Sequence, residues 1–227
     1  MEKKERSRFR PVYGVLITIA VQTFIYLTSI GIAVLLYARY DVGLFAAALV
    51  FYGVVVGLTL LVLKLFRVLC PLKPGVYTQK DAWIWYLLSL QWLLGSLNLH
   101  WIYKLTPPVY KKLFYQLLGA KMGKGVIPIL GDLAVAEFIT IEQGVFIADA
   151  AIEGVAFMPG KKVLLGPVHV KRGAIVGGQA SVGPFTTVGA NSIVSQAADV
   201  PMFTSIPDNE IWAGNPAKKV GDNPKPE

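Results

Sequence analysis

Residues 170–194 read VKRGAI-VGGQAS-VGPFTT-VGANSI-V, so that valine returns at every sixth place, as Val170, Val176, Val182, Val188 and Val194. Gly177, Gly183 and Gly189 each follow a valine, and Ala174, Ala180, Thr186 and Ser192 stand two residues before the next one. A period of six suits neither an α-helix, at about 3.6 residues per turn, nor a plain strand, at about 2. Short fixed periods mark solenoids, whose coils bury their apolar sides only against neighbouring coils. Six residues make one side of a triangular coil. The valine points into the stack, the small residue shares the tight interior, and the glycine is expected to let the backbone turn at the corner.

Toward the N-terminus a second series keeps the same interval. Ile127, Leu133, Ile139 and Val145 form it, with Ile129, Val135, Ile141 and Ile147 two residues behind. Residues from about 126 to 149 are therefore expected to form the first coils. This phase reaches Val170 only after a shift of one residue. Between the two series Glu153–Lys162, which contains MPGKK, breaks the pattern and predicts a loop leaving the stack.

The first part of the chain has a different character. Of the 227 residues 54% are hydrophobic, and mean hydropathy is +0.54. Pro11 to Ala38 and Val42 to Leu63 carry no formal charge. Each run exceeds the ~20 residues that cross a bilayer, and the first far exceeds the ~7–15 of a signal-peptide core. Arg39 and Asp41 are the only charged residues between them, which predicts a transmembrane hairpin. Lys3, Lys4, Arg6, Arg8 and Arg10 precede the first run, and Lys64, Arg67, Lys73 and Lys80 follow the second. Basic flanks at both ends place the N-terminus and the solenoid on the cytoplasmic side. Residues 1–80 hold 10 Lys/Arg against 3 Asp/Glu, nearly all of the chain's net charge of +8. The basic balance thus reflects topology and contact with anionic lipid, not nucleic acid. Gly53 and Gly57 make a GxxxG pair that suits close helix approach. Cys70, the single cysteine, excludes an intrachain disulfide. It reads as an inert thiol, with palmitoylation the alternative.

Ala82–Tyr103 is uncharged but mixes Trp83, Trp85, Trp92 and Trp101 with Ser89, Gln91, Ser96, Asn98 and His100. Tryptophans among polar residues fit the head-group layer, and the lysines that follow argue against a third crossing. An interfacial or re-entrant helix is expected. Val109–Leu118 predicts a short helix ending at Gly119. The organisation is then a two-span hairpin over 1–80, interfacial helices over 81–119, the solenoid over 120–221 and a tail over 222–227.

LGAKMGKGVIP (Leu118–Pro128), the valine hexads and WAGNPAKKV (Trp212–Val220) resemble the hexapeptide-repeat transferases. The resemblance covers roughly residues 115–221. It implies a left-handed parallel β-helix, a homotrimer, and transfer of an acetyl or longer acyl group from coenzyme A or a carrier thioester to a hydroxyl or amine. The whole layout, with GPVHVKRGAIVGG (Gly166–Gly178), is also similar to the C-terminal membrane and hexapeptide regions of nonribosomal-peptide-synthetase-like proteins. The fold class is therefore membrane α plus all-β.

Acyl transfer requires a base for the acceptor's proton, most often histidine. His100 belongs to the interfacial segment. His169, between Val168 and Val170, points outward by alternation, either onto a groove between subunits or into solvent. The resembled family places a histidine in the coil before the GPV segment, and here that place holds AIEGVAFMPG. Glu153 can serve as a base there if burial raises its pKa; a solvated surface carboxylate is the plain alternative. The resemblance carries the coenzyme A arm onto Ala213, Gly214, Asn215, Pro216, Ala217 and Lys218. The same turn can equally act as a cap on the solenoid. Zinc chemistry of the related carbonic anhydrases needs three histidines, and only His169 is in the solenoid. Two readings result. One is a membrane-bound acyltransferase with a coenzyme A thioester as co-substrate and no bound cofactor or metal. The other is a non-catalytic trimeric membrane scaffold or degenerate synthetase-terminal module.

Overall fold

The computed structural model describes residues 11–40, 42–99, 107–129 and 131–224. His100 and Trp101 are outside the described residues. The chain divides into two compact units. One holds the described residues up to Cys70 and those from Thr78 to Leu99, and the other holds Pro71–Tyr77 and the described residues from Pro107 on.

The first unit is helical. α1 (Pro11–Tyr40) and α2 (Leu44–Leu69) pack side by side. Both are long and apolar enough to cross a membrane, α1 counted from Gly14. α3 (Ala82–Leu94) runs on into a π-helical turn, Gly95–Leu99. It lies close against α1, since a Cβ at Gly14 would stand 2.6 Å from the Tyr86 ring. Leu87, Leu90, Leu94 and Leu99 are buried. Among them sits Asn98, 2% exposed. Its amide accepts from Gln22 Nε2 (2.9 Å) and Tyr26 Oη (3.1 Å) and donates to Thr59 Oγ1 (2.9 Å) and Gln22 Oε1 (3.2 Å). A buried amide costs little only when its donors and acceptors are matched, and here they are.

The second unit is a parallel β-solenoid of about five turns with three flat faces. The first face stacks Lys121–Met122, Ile139–Ile141, Val168–Val170, Thr186–Val188 and Ser205–Ile206. The second stacks Ile127–Pro128, Phe146–Ile147, Ile175–Val176, Ile193–Val194 and Glu210–Ala213, and the third Asp132–Ala134, Ala151–Glu153, Ser181–Val182 and Asp199–Val200. Register matches hexads one to one: Val170 pairs with Val188 and Ile141, Val176 with Val194 and Ile147. Val170, Val176, Val182, Val188 and Val194 are 0% exposed, and Ala174, Ala180, Thr186 and Ser192 at most 1%. The core is a column of valines, as the period requires.

Three expectations need correction. The glycines after the valines do not make the corners. The backbone turns two residues later, at left-handed Gln179 (φ 58°), Phe185 (58°) and Asn191 (54°). Gly177 instead permits close approach of the next coil, since a Cβ there would be 2.7 Å from the Gln196 backbone nitrogen. In the earliest coil Ile127 is 47% exposed while Val126 and Pro128 are buried, so the inward register there is one residue off the apolar pattern. Ile127 is set by its partner Phe146, likewise outward. The one-residue shift before Val170 has a local origin: Ile147 to Ile152 is a step of five, while Val176 to Val182 is a step of six. Finally, the chain does leave the stack around MPGKK, but that segment is not a loop. It closes a hairpin of Val155–Met158 and Lys162–Leu165, on whose outer side Gly75–Tyr77 adds an antiparallel strand.

Both ends of the stack are covered. α4 (Pro108–Leu117) packs on the first coil. Lys112 Nζ donates to the Gly123 carbonyl, Tyr115 Oη to that of Gly131, and Gln116 Nε2 to that of Met122 at 3.2 Å. At the other end Lys218–Asp222 folds back antiparallel on Glu210–Ala213.

Candidate functional site

His169 occupies the middle of a first-face strand, flanked by Thr140 and Thr187 on the adjoining coils. Strand alternation buries Val168 and Val170 and turns the imidazole outward. Its Nε2 is 2.9 Å from Glu142 Oε1, with both side chains about two-fifths exposed (40% and 38%). The second carboxylate oxygen, Oε2, accepts from the Arg172 backbone nitrogen at 3.0 Å. Glu142 is thereby fixed at both oxygens. Facing a carboxylate, the neutral ring carries its hydrogen on Nε2, which leaves the lone pair on Nδ1 to take a proton. The outward column of this face is otherwise polar: Lys121, Thr140, Thr187 and Ser205.

Beside the dyad Lys171 pairs with Asp208 at 3.1 Å. The Ala190 N–H and the Lys171 ammonium hold the Asp208 carboxyl below its ordinary value, and Arg172 adds to this from a greater distance.

Glu153 is elsewhere. It ends a third-face strand, opposite Ala134. Burial, aided by the negative charge of Asp199, pushes its carboxyl up. The chain therefore sets His169 and Glu153 on different faces of the prism and does not bring them together. The raised carboxyl meets the condition under which Glu153 could act as a base, and sets aside the alternative of a fully solvated surface carboxylate.

The segment Ala213, Gly214, Asn215, Pro216, Ala217 and Lys218 forms the turn between the last second-face strand and the strand folded back on it. Gly214 (φ 94°) offers its carbonyl to Asp199 N at 2.9 Å, and Ala217 N donates to Asp199 O at 2.7 Å. These bonds tie the turn to the third face and close the sheet edge. Lys219 is held by Glu210 (2.9 Å) and Asp222 (2.7 Å), whereas Lys218, also exposed, forms no ion pair among the described residues.

Glu142 escaped the sequence reading. Its partnership with His169 depends on Ile141 pairing with Val170, and the five-residue step at Ile147–Ile152 hides that register from any strict count of six. The outer side of the second face was missed too, although Ile175, Ile193 and Ile211 keep a strict spacing, because the valines beside them drew the count inward. Ile127, Phe146, Ile175, Ile193 and Ile211 stack there in one line, the first three 47%, 37% and 39% exposed.

No protein-family model matches the chain. Delta-poly-L-ornithine synthetase of Acinetobacter baumannii (strain AB307-0294) is 29% identical over 140 residues, 61% of this chain. The match spans only 10% of that protein's length. Among solved structures, a maltose O-acetyltransferase from Clostridium difficile 630 aligns over 67% of this chain and 94% of its own, with TM-score 0.50 and 15% identity. A galactoside acetyltransferase in complex with coenzyme A aligns over 60% and 82%, with TM-score 0.45 and 14% identity. A hexapeptide-repeat acetyltransferase from Vibrio cholerae O1 biovar eltor, complexed with acetyl coenzyme A, aligns over 47% and 62%, with TM-score 0.43 and 16% identity. The fold is thus the hexapeptide-repeat β-solenoid, preceded by two long apolar helices.

Proposed function

We propose that this chain is a membrane-anchored acyltransferase that moves an acetyl or longer acyl group from a coenzyme A or carrier thioester to a hydroxyl or amine of a membrane-proximal acceptor. The observation that carries the reading is the Glu142–His169 dyad at 2.9 Å, exposed on a polar face of a solenoid whose fold is shared with an O-acetyltransferase. Nδ1 of His169 takes the proton of the acceptor hydroxyl as its oxygen attacks the thioester carbonyl. The tetrahedral intermediate then expels the thiolate, and the imidazolium returns the proton to sulfur. Glu142 holds the ring in the required tautomer and stabilises the transient positive charge, the part a carboxylate plays behind a catalytic histidine. Lys218, exposed beside the C-terminal turn, suits a phosphate of the donor as a point charge.

The anchor is read from α1 and α2, which leave many large apolar side chains exposed while burying others such as Ile25 and Val55. Leu27 (64%), Leu35 (63%) and Phe45 (78%) are exposed, where core helices of a soluble domain bury such residues. The basic residues Lys64, Arg67, Lys73 and Lys80 after α2 favour the cytoplasmic side for the solenoid. The apolar line on the second face supports a second copy of the chain as its occupant, since a flat sheet with large apolar residues outward is costly in water. Closure of such a contact around a threefold axis gives a homotrimer in which the corner next to His169 meets a neighbouring subunit. The C-terminal turn favours a second reading, a scaffold, because its Gly214 carbonyl and Ala217 N–H already bond Asp199 in a capping role.

Radiolabelled acetyl-coenzyme A, the full chain in detergent and a total membrane-lipid extract test the choice. Transfer of label by the wild type, with loss of ~10²–10⁴-fold in His169→Ala, is the expected result. Label transfer by His169→Ala at the wild-type rate would remove the base. Absence of both transfer and coenzyme A binding in the wild type would leave the scaffold.

A further inference from the structure

Where the first face turns into the second, five coils present a corner of the same shape. Left-handed residues stand one above another: Gly125 (φ 67°), Gly144 (69°), Gly173 (66°), Asn191 (54°) and Asn209 (61°). The first three and Asn191, with Lys124, Gln143 and Arg172, line an open depression of about 410 Å³. No carboxylate is in its lining. Among the described residues neither Lys124 nor Arg172 forms an ion pair, and the Gln143 and Asn191 side chains have no hydrogen-bond partner within the protein. Two cations and two amides thus line one hollow, with Arg172 also in electrostatic reach of the Asp208 carboxylate outside it.

The glycines there are not demanded by the backbone. Gln179, Phe185, Ala197 and Phe203 adopt the same left-handed conformation at other corners, at φ of 55–64°. Nor does crowding demand them at two of the three positions: the nearest atoms to a Cβ at Gly125 or Gly144 are 3.8 and 3.9 Å away, ordinary contact. What a side chain at these places would do is fill the floor of the hollow. The backbone amides of the corner are already spent along the stack, Gly144 N on Lys124 O, Gly173 N on Gln143 O and Asn191 N on Arg172 O, each at 2.9–3.1 Å. The free donors are therefore the four side chains, and a fork plus an ammonium over a bare floor matches a tetrahedral dianion.

We propose that this corner binds a phosphate ester, and that the ester belongs to the acyl acceptor. Arg172 follows His169 by three residues and its backbone nitrogen is bonded to Glu142, the partner of His169, so an ester held at this corner has the imidazole as a neighbour. Assigning the ester to the acceptor rests on the acyl-transfer reading; the binding does not. Two sources share this chemistry, a phospholipid headgroup and a soluble phosphate ester.

Calorimetry of the full chain in neutral-detergent micelles, with no thioester present, tests it with two probes, inorganic phosphate and dihexanoyl phosphatidic acid. Saturable binding is expected, weakened about tenfold or more by Arg172→Gln and by Gly144→Asn, and unaltered by Lys161→Gln in the remote hairpin turn. Asn is the substitution chosen because it tolerates the left-handed region best. Tighter binding of the lipid, by about tenfold, assigns the headgroup; equal binding assigns a soluble ester. Arg172 is exposed, so Arg172→Gln decides the matter alone if Gly144→Asn fails to fold. The proposal falls if neither probe saturates, if Arg172→Gln binds like the wild type, or if Lys161→Gln weakens binding equally. Binding that survives in a protein without acyl transfer keeps the site and removes only its assignment to an acyl acceptor.

Discussion

Gly189→Ala is the sharpest test of how the coils hold together. A Cβ at Gly189 would stand 2.6 Å from Asp208 N and closer still to the Pro207 carbonyl. These are backbone atoms of the next coil and cannot rotate away. Restoring ordinary contact, about 3.5 Å between heavy atoms, requires the two coils to part by roughly 1 Å at this corner. Three hydrogen bonds cross there: Asn209 N to Ala190 O (2.9 Å), Ser192 Oγ to Pro207 O (2.6 Å) and Ala190 N to Asp208 Oδ1 (2.8 Å). At about 1 kcal/mol each their loss comes to ~3 kcal/mol, with overpacking adding ~1 kcal/mol or more. Hydrogen exchange at the Asn209 and Ala190 amides reads this locally, and urea unfolding reads it globally. Gly144→Ala is the control, since it meets nothing closer than 3.9 Å and bears only the left-handed penalty of ~1–2 kcal/mol. The variant also releases Asp208. Its carboxyl is held below 3.8 chiefly by the Ala190 N–H, so the stability it contributes is present above that pH and is lost as pH falls through the lower folded value. Gly189→Ala should flatten that acid limb. A variant within ~0.5 kcal/mol of wild type, with Asn209 equally protected, would refute the reasoning.

Glu142→Gln should lower kcat by ~10-fold or more with little change in KM, since it acts on the tautomer and charge of His169 and not on substrate contact; steady-state kinetics separate the two. Ile175→Lys, in the outward apolar line of the second face, should convert the assembly to monomers, read by sedimentation, without unfolding the solenoid. Asn98→Leu should destabilise the helical unit by ~1–3 kcal/mol, because Gln22, Tyr26 and Thr59 lose their shared partner, and steric trapping or detergent titration measures it. Glu153→Gln should stabilise the solenoid at pH 7. The raised carboxyl contributes its stability below its ordinary 4.5 and loses it as pH rises through the folded value, so the gain must vanish near pH 4; melting temperature against pH shows the crossover.

The solenoid was legible in residues 170–194 because a fully inward valine must recur at every sixth place when all three sides of a coil are equal. It was less legible where sides are unequal. The five-residue step from Ile147 to Ile152 and the hairpin inserted before Val168 preserve the stack while destroying the count. Hydrophobicity misled for a related reason. Ile127 and Phe146 look like core and face outward, while Pro128 and Met122 look incidental and face in. Alternation identifies which residues share a side of the strand, but only pairing with a neighbouring coil says which side is inside. His169 could be placed outward because Val168 and Val170 bracket it. Its partner could not be named, because the neighbour of a residue in a parallel stack lies a whole coil away.

The three faces differ in outward chemistry although their interiors are alike, and that difference is what a solenoid can vary without cost to its core. The first face carries Lys121, Thr140, His169, Thr187 and Ser205, the second an apolar line of isoleucines and Phe146, and the third Asp132, Ser181 and Asp199. Replacing an inward valine loses ~1–3 kcal/mol of buried apolar surface, whereas an outward residue is free of that constraint. A trimer built on the apolar face leaves the other two in water only if the axis passes on the second face's side of the prism. The corner between the first and second faces, with Arg172 and the Glu142–His169 pair beside it, then lies at the rim of the contact. In the proposed trimer such a rim would be half covered by a neighbour and half open to substrate. Charging Ile175 should therefore abolish acyl transfer along with assembly, whereas charging Ser181 on the third face should leave both intact. If Ile175→Lys gave monomers with undiminished transfer, the site would be complete within one chain, and the apolar face would serve assembly alone.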